Sequence, residues 1–313
     1  MSGKVQTMNI RRLKDILAGR FMIATALFSS LLVFIIAIAL YLRSKPILDA
    51  KSLGDLLLGS TWLPFGGEFG FYPFILGTLY VTVLAMIFAV PLSILSAIYL
   101  AEYANEKLRE KVLPLIDLLA GIPPVVFGVF GVLAIVPLVE YIAPVIGTLG
   151  IPFLRAESYS TGYSLLAGGI VLAIMVFPII ISISHEVFRA VPSEVREASL
   201  SLGATRWQTI KHAVMRTALP GLGAAIILGF SRAFGETMAV LMVVGNVPTV
   251  PKSVFDSAYP LPALIANNYG EMMSIPLYDS AMLLAALILM LVILVFTLLA
   301  RLTLIRIERG MNA

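Results

Sequence analysis

The sequence contains no cysteine, which excludes disulfide frameworks, thiolate metal sites and thiol nucleophiles. Histidine is nearly as scarce. His185 and His212 are the only two, and neither stands near an acidic cluster, which argues against a metal centre or a Ser-His-Asp arrangement. Charge is also in short supply: 13% of the 313 residues are charged and 59% are hydrophobic. With a mean hydropathy of +0.98, the chain has too little polar surface to cover a globule of its size in water.

What the sequence has in abundance is long apolar runs. Six are long enough to cross roughly 30 Å of hydrocarbon as helices: Phe21–Leu42, Phe74–Leu100, Val112–Val139, Ser164–Ile183, Gly221–Val244 and Ser280–Leu299. An all-α membrane protein of six transmembrane helices is expected. Alternate connections fall on one side, and there sixteen Lys and Arg accumulate, among them Lys4, Arg12, Lys107, Arg109, Arg189, Arg196, Arg206 and Arg306. The other side carries five: Arg43, Lys45, Lys51, Arg155 and Lys252. The positive-inside rule therefore places both termini in the cytoplasm. The pI near 9.3 reflects this asymmetry, not a nucleic-acid patch. The basic start could open a signal peptide, and Ala37-Ile38-Ala39 resembles a cleavage site. A signal core spans only about 7–15 residues, however, so the first helix is expected to be retained.

The informative segments are the connections. On the less basic side, Arg43–Pro73, Glu140–Tyr163 and Gly245–Asp279 are rich in Gly, Pro and aromatics and are candidates for a compact cap. On the basic side, residues 185–219 form a longer loop than a connection needs. Pro192 suits a first helical turn that runs to Leu202, with Gly203 ending it. Thr205 and Gln208 have the spacing of a capping box that starts a second short helix. Val195, Ala198 and Leu202 stripe the first helix; Trp207, Ile210 and Val214 stripe the second. The pattern fits either an amphipathic loop on the membrane surface or a docking platform for a cytoplasmic partner.

Two features stand out inside the apolar runs. Arg232 and Glu236 lie in the fifth, where each costs about 2.5–3.5 kcal/mol at the bilayer centre. Their i, i+4 spacing on one helix lets them pair, either as a structural ion pair or as part of a pathway. Ala225, Gly229 and Ala233 form a small-residue stripe on the same helix. In the third run, Pro123-Pro124 must interrupt the helix, as a kink or as a restart whose free amide groups, from Val125 onward, form a positive helix end within the membrane. Counting 1.5 Å per residue places Pro124 roughly 18 Å and Arg232 roughly 17 Å from the basic side. An arginine beside a helix start suits an oxyanion. Glu236 narrows the choice, since phosphate retains a proton near neutrality and can donate it to a carboxylate, whereas sulfate would be repelled. Asp117, near the end of the third run, reads as an interfacial residue.

At this point the residues resemble a family. Glu197-Ala198-Ser199-Leu200-Ser201-Leu202-Gly203 is similar to the cytoplasmic motif of ATP-binding-cassette importer permeases, followed here by Ala204. Leu202-Gly203-Ala204-Thr205-Arg206-Trp207, Ala120-Gly121-Ile122-Pro123-Pro124-Val125-Val126-Phe127-Gly128 and Arg232-Ala233-Phe234-Gly235-Glu236-Thr237-Met238-Ala239-Val240 resemble the phosphate-specific permeases. Gly235 to Val240 with Gly245-Asn246 looks like the C-type subunit. The resemblance spans roughly Phe74 to Arg301. Ser199 stands where alanine is usual, a change expected not to matter, and Met215-Arg216 replaces a common Leu-Pro.

The resemblance implies a type I importer permease fold. It also implies a substrate pathway at Arg232, Glu236, Thr237, Pro123, Pro124 and Val125, with ATPase coupling through Glu197, Ala198, Ser199, Leu202, Gly203 and Ala204. The partners it implies are an A-type second permease subunit, two cytoplasmic ATPase subunits and an extracytoplasmic phosphate-binding protein. ATP and magnesium are expected on the ATPases, since the chain has no Gly-x-x-x-x-Gly-Lys-Ser/Thr loop. The expected organisation is a cytoplasmic segment 1–20, a first helix 21–42, an outer loop 43–73, a permease core 74–305 and a tail 306–313. A permease for sulfate or molybdate and an ion-coupled secondary anion transporter remain alternatives. A membrane-embedded enzyme lacks the necessary constellation of residues.

Overall fold

The computed structural model describes residues 3–148, 151–155, 161–272 and 274–311. The outer connection Glu140–Tyr163 thus lies partly outside the described residues, as do the extreme ends of the expected terminal segments. Helix α1 (Gly3–Ala50) is followed by the short α2 (Leu53–Leu58) and an antiparallel hairpin of β1 (Trp62–Leu63) and β2 (Glu68–Phe69). Then come α3 (Tyr72–Ile98), α4 (Glu106–Ala120), α5 (Pro124–Phe130), α6 (Val136–Gly147), α7 (Leu165–Ala190) and α8 (Ser193–Ser201). The chain continues as α9 (Arg206–Thr209), α10 (Met215–Phe234), α11 (Met238–Val243), α12 (Leu261–Asn268) and α13 (Tyr278–Met311). Among the described residues, six helical runs are long and apolar enough to span a membrane: Arg12–Ala50, Tyr72–Tyr103, Pro124–Gly147, Leu165–Ala190, Arg206–Phe234 and Tyr278–Arg306.

The number of spans agrees with the sequence; their limits do not. α1 runs well beyond Phe21–Leu42 at both ends, because a helix satisfies its own backbone and need not stop where apolar side chains do. The apolar run Val112–Val139 proves to be two elements. Its first part belongs to α4, started by Asn105, whose side chain accepts from the Leu108 amide at 2.8 Å, and ended at Gly121. The span itself begins only at Pro124. The expected fifth run also shifts: α9 passes through a π turn at Ile210–Val214 into α10 as one span, so the second loop helix is the beginning of that span. The loop proper shrinks to the stretch between Ala190 and Arg206.

α7 is the central helix, the most deeply buried of the six. Ala167, Gly168, Gly169 and Ala173 let neighbouring backbones approach it; a Cβ on Gly169 would lie 2.8 Å from Leu84 of α3, the close small-residue packing on which helix association in lipid depends. Its first amides, orphaned by helix geometry, are taken up by the end of α11 and the connection that follows it. Leu165 N donates to Asp256 O at 2.9 Å, Leu166 N to Val254 O at 2.8 Å, and Ser164 N to Val243 O at 3.2 Å. α3, α5, α7 and α11 enclose one core around Val81, Phe127, Val171, Val176, Ala239 and Val243. On the less basic side a second core joins two of the three connections expected to form a cap, Arg43–Pro73 and Gly245–Asp279, while Ile146, Leu154 and Tyr163 of the third pack on the first core. Trp62 sits with its ring centroid 5.6 Å from Phe69, 5.6 Å from Phe71 and 5.0 Å from Phe74, and Ile47 anchors the end of α1 there. The apolar middle of α1 is exposed along its length, as a lipid-facing or subunit-facing helix must be.

Candidate functional site

Two sites emerge, one at half depth and one on the basic side. At half depth, the antiparallel packing of α5 on α7 fixes the level of the proline pair. A Cβ on Gly131, just after α5, would meet Val171 at 2.7 Å, and Pro124 lies seven residues, about 10 Å, back along the run. That brings it level with the middle of α7, near Pro178. Gly229 of α10 sits against Ile180 and Val176; Arg232, about 4.5 Å farther along, is within a turn of the same level. Both therefore lie level with the middle of α7, although by length and composition the third span starts at Pro124 itself.

The helix carrying Arg232 ends at Phe234, and a new one starts at Met238. Glu236 therefore lies in a break, and the expected i, i+4 pair on one helix face does not form. The Glu236 carboxylate turns forward instead, and its Oε1 accepts from the Ala239 amide at 3.3 Å. This satisfies one of the free donors at the start of α11, where the helix dipole favours negative charge. Among the described residues Arg232 has neither an ion pair nor a hydrogen bond, and the single ion pair is elsewhere. Thr237 sits in the break with its hydroxyl 3.4 Å from the Gly235 carbonyl.

The two restarts stand side by side, for Gly128 of α5 packs on Ala239 and Met242 of α11. A side chain larger than hydrogen at Gly128 would separate them. Arg232, Pro123 and Val125 are exposed, and Pro124, Glu236 and Thr237 half-buried. Among the described residues the chain thus leaves an exposed cation without a partner, a carboxylate with one oxygen not engaged by the Ala239 amide, and two helix restarts that pack against each other. Asp117 does not join them; its Oδ1 accepts from Ser182 Oγ at 3.0 Å, tying α4 to α7.

On the basic side, α8 forms as the sequence predicts. Gly203 closes it with φ +83°, a conformation that only glycine adopts freely, and Thr205 and Gln208 make both bonds of the capping box. Glu197, Ala198 and Leu202 project outward, Leu202 with 90% of its surface exposed, and Gly203 is exposed with them. Ala204 is half-buried. The apolar stripes are redistributed: Val195 packs inward with the buried Ile210 and Val214, while Trp207 remains half exposed. Ser199 makes a contact that alanine lacks: its hydroxyl lies 3.0 Å from that of Thr209, joining α8 to α9.

Sequence reasoning missed Glu102, in the π turn Tyr99–Tyr103 that continues α3. Arg196 binds it through Nε and Nη2, and this is the ion pair noted above. The only signal in the sequence was an acid closing an apolar run on the basic side, and its partner lies 94 residues away.

Comparison with known proteins completes the description. Residues 89–309 match the family model described as binding-protein-dependent transport system inner membrane component. The chain is 34% identical over 308 residues to the phosphate transport system permease protein PstC of Xylella fastidiosa, covering 96% of this chain and 94% of that protein. It is 38% identical over 263 residues to the probable ABC transporter permease protein YqgH of Bacillus subtilis, covering 82% and 80%. Among solved structures, a bacterial alginate ABC transporter in complex with its periplasmic protein shares the fold with a TM-score of 0.61 at 16% identity, over 94% of each chain.

Proposed function

The chain belongs to the family of binding-protein-dependent transport system inner membrane components, and from that membership we propose that it is the C-type permease subunit of an ATP-driven importer of inorganic phosphate. Relatives that it matches over nearly its whole length carry phosphate transport in their names. The observation that carries the reading is Arg232, an unpaired guanidinium at half depth next to a carboxylate already engaged by a backbone amide. A guanidinium binds two oxygens of a tetrahedral anion in a fork. The free oxygen of Glu236 accepts the proton that phosphate still carries, and the helix start at Pro124 adds positive potential.

An arginine at this depth cannot face lipid without a cost of about 2.5–3.5 kcal/mol. A second permease subunit of the A type, covering the exposed Arg232, Pro123 and Val125, removes that cost and encloses a pathway between the two chains. The basic side is the cytoplasmic one. There the exposed face of α8, with Glu197, Ala198, Leu202 and Gly203, docks an ATPase subunit, one for each permease. ATP and magnesium bind the ATPases. An extracytoplasmic phosphate-binding protein delivers substrate to the opposite side, and ATP-driven closure of the ATPases alternates access to the half-depth site.

The test is ATP-dependent uptake of inorganic phosphate into vesicles that contain this chain with its candidate partners. Arg232→Lys keeps the charge and loses the fork. A charge-assisted hydrogen bond contributes about 1.5–3 kcal/mol, so uptake is expected to fall by about tenfold to a hundredfold. Undiminished uptake would remove Arg232 from direct coordination.

A further inference from the structure

The docking helix is not loosely attached to the spans. Glu102, its side chain 8% exposed, occupies the π turn at the basic-side end of the second span. Arg196 of α8 grips it in a fork: Nε donates to Oε1 at 3.1 Å and Oε2 at 3.2 Å, and Nη2 to Oε1 at 2.5 Å. The same guanidinium donates from Nη1 to Val191 O at 2.7 Å and from Nη2 to Phe188 O at 2.8 Å, carbonyls at the end of α7 where helical donors run out. A second arginine reaches the same turn. Arg206, the first residue of α9, donates to the Glu102 carbonyl and lays its guanidinium over Tyr103, 4.8 Å from the ring centroid, a cation–π contact.

One turn therefore ties α8 to the ends of three spans. Glu102 belongs to the second, Phe188 and Val191 end the fourth, and Arg206 begins the fifth. A lysine-like point contact would let α8 slide or rotate against the spans; the planar fork fixes its orientation. A π turn is also a recurrent feature of functional sites in helices, and here it holds the carboxylate at the meeting point.

We propose that Glu102 is a positioning residue of the transport cycle, the joint through which movement of the docking helix reaches the second, fourth and fifth spans. This rests on α8 being the ATPase docking helix. The joint differs from a merely stabilising ion pair in what its loss does. A stabilising pair changes how much complex survives, whereas a joint changes how much substrate moves for each ATP consumed.

The experiment reconstitutes the full complex in proteoliposomes and measures phosphate uptake and ATP hydrolysis in the same vesicles. Glu102→Gln retains shape and loses charge. ATPase binding and ATP hydrolysis are expected to persist while phosphate moved per ATP falls by about tenfold or more, as the bidentate charged contact is lost. Arg206→Ala, which removes an exposed side chain, is expected to lower the same ratio severalfold, and it decides the matter alone if the Glu102 variant fails to assemble. A wild-type ratio in every assembled variant would overturn the joint. Failure of the unmodified chain to hold the ATPase would instead overturn the docking reading beneath it.

Discussion

Side chains at half depth do different work from what spacing implies. Glu236 stands four residues after Arg232, yet the helix stops between them, and the carboxylate caps α11 while the guanidinium stays free. The consequence is a carboxylate with one oxygen to spare. Glu236→Gln is expected to keep part of the phosphate uptake and to narrow the preference for phosphate over sulfate, because an amide can donate to a fully deprotonated anion where a carboxylate repels it. Competition by sulfate in the vesicle assay measures this, and an unchanged preference would clear the carboxylate of that role. Glycines set the packing around the site. A Cβ on Gly131 would lie 2.7 Å from both Val171 and Val243, stiff β-branched neighbours. Gly131→Ala is therefore expected to destabilise the protein by about 1–3 kcal/mol, seen as a lower unfolding temperature in detergent.

Among the elements, those governed by local chemistry were legible and those governed by packing were not. The start and stop of α8 follow from Pro192 and Gly203, and the capping box from Thr205 and Gln208, since each acts within one turn. The break between α10 and α11 has only Gly235 as a local signal. It is held open by α11 packing on α5 through Gly128, more than a hundred residues earlier in the chain. The division of the third apolar run is similar: the two prolines announced an interruption, but only the packing of α4 on α7 makes it two helices. α8 itself leaves Leu202 uncovered, which has meaning only with a partner. Leu202→Asp is expected to leave this chain folded, being 90% exposed, and to reduce co-purification of the ATPase by about tenfold or more, as loss of a buried apolar anchor does. Normal recovery of the ATPase would move the docking surface elsewhere.

For the whole molecule, the absence of cysteine makes the topology directly testable. Single cysteines at Glu68 and Lys252, both exposed on the less basic side, are expected to react with a membrane-impermeant maleimide in intact cells. One at Ser201, exposed at the end of α8, is expected to react only after permeabilisation. The reverse pattern would invert the orientation and place α8 out of reach of any cytoplasmic ATPase. The sequence by itself determined the membrane as solvent, the number of spans, the side on which charge gathers and the family. Those properties follow from transfer free energies and from motifs read over a few residues. The tertiary structure alone decided that Arg232 has no partner among the described residues, that the two broken helices meet at Gly128, and that Glu102 receives Arg196 from 94 residues away. Such contacts depend on how α3, α5, α7, α8 and α11 pack together, and no local spacing records them.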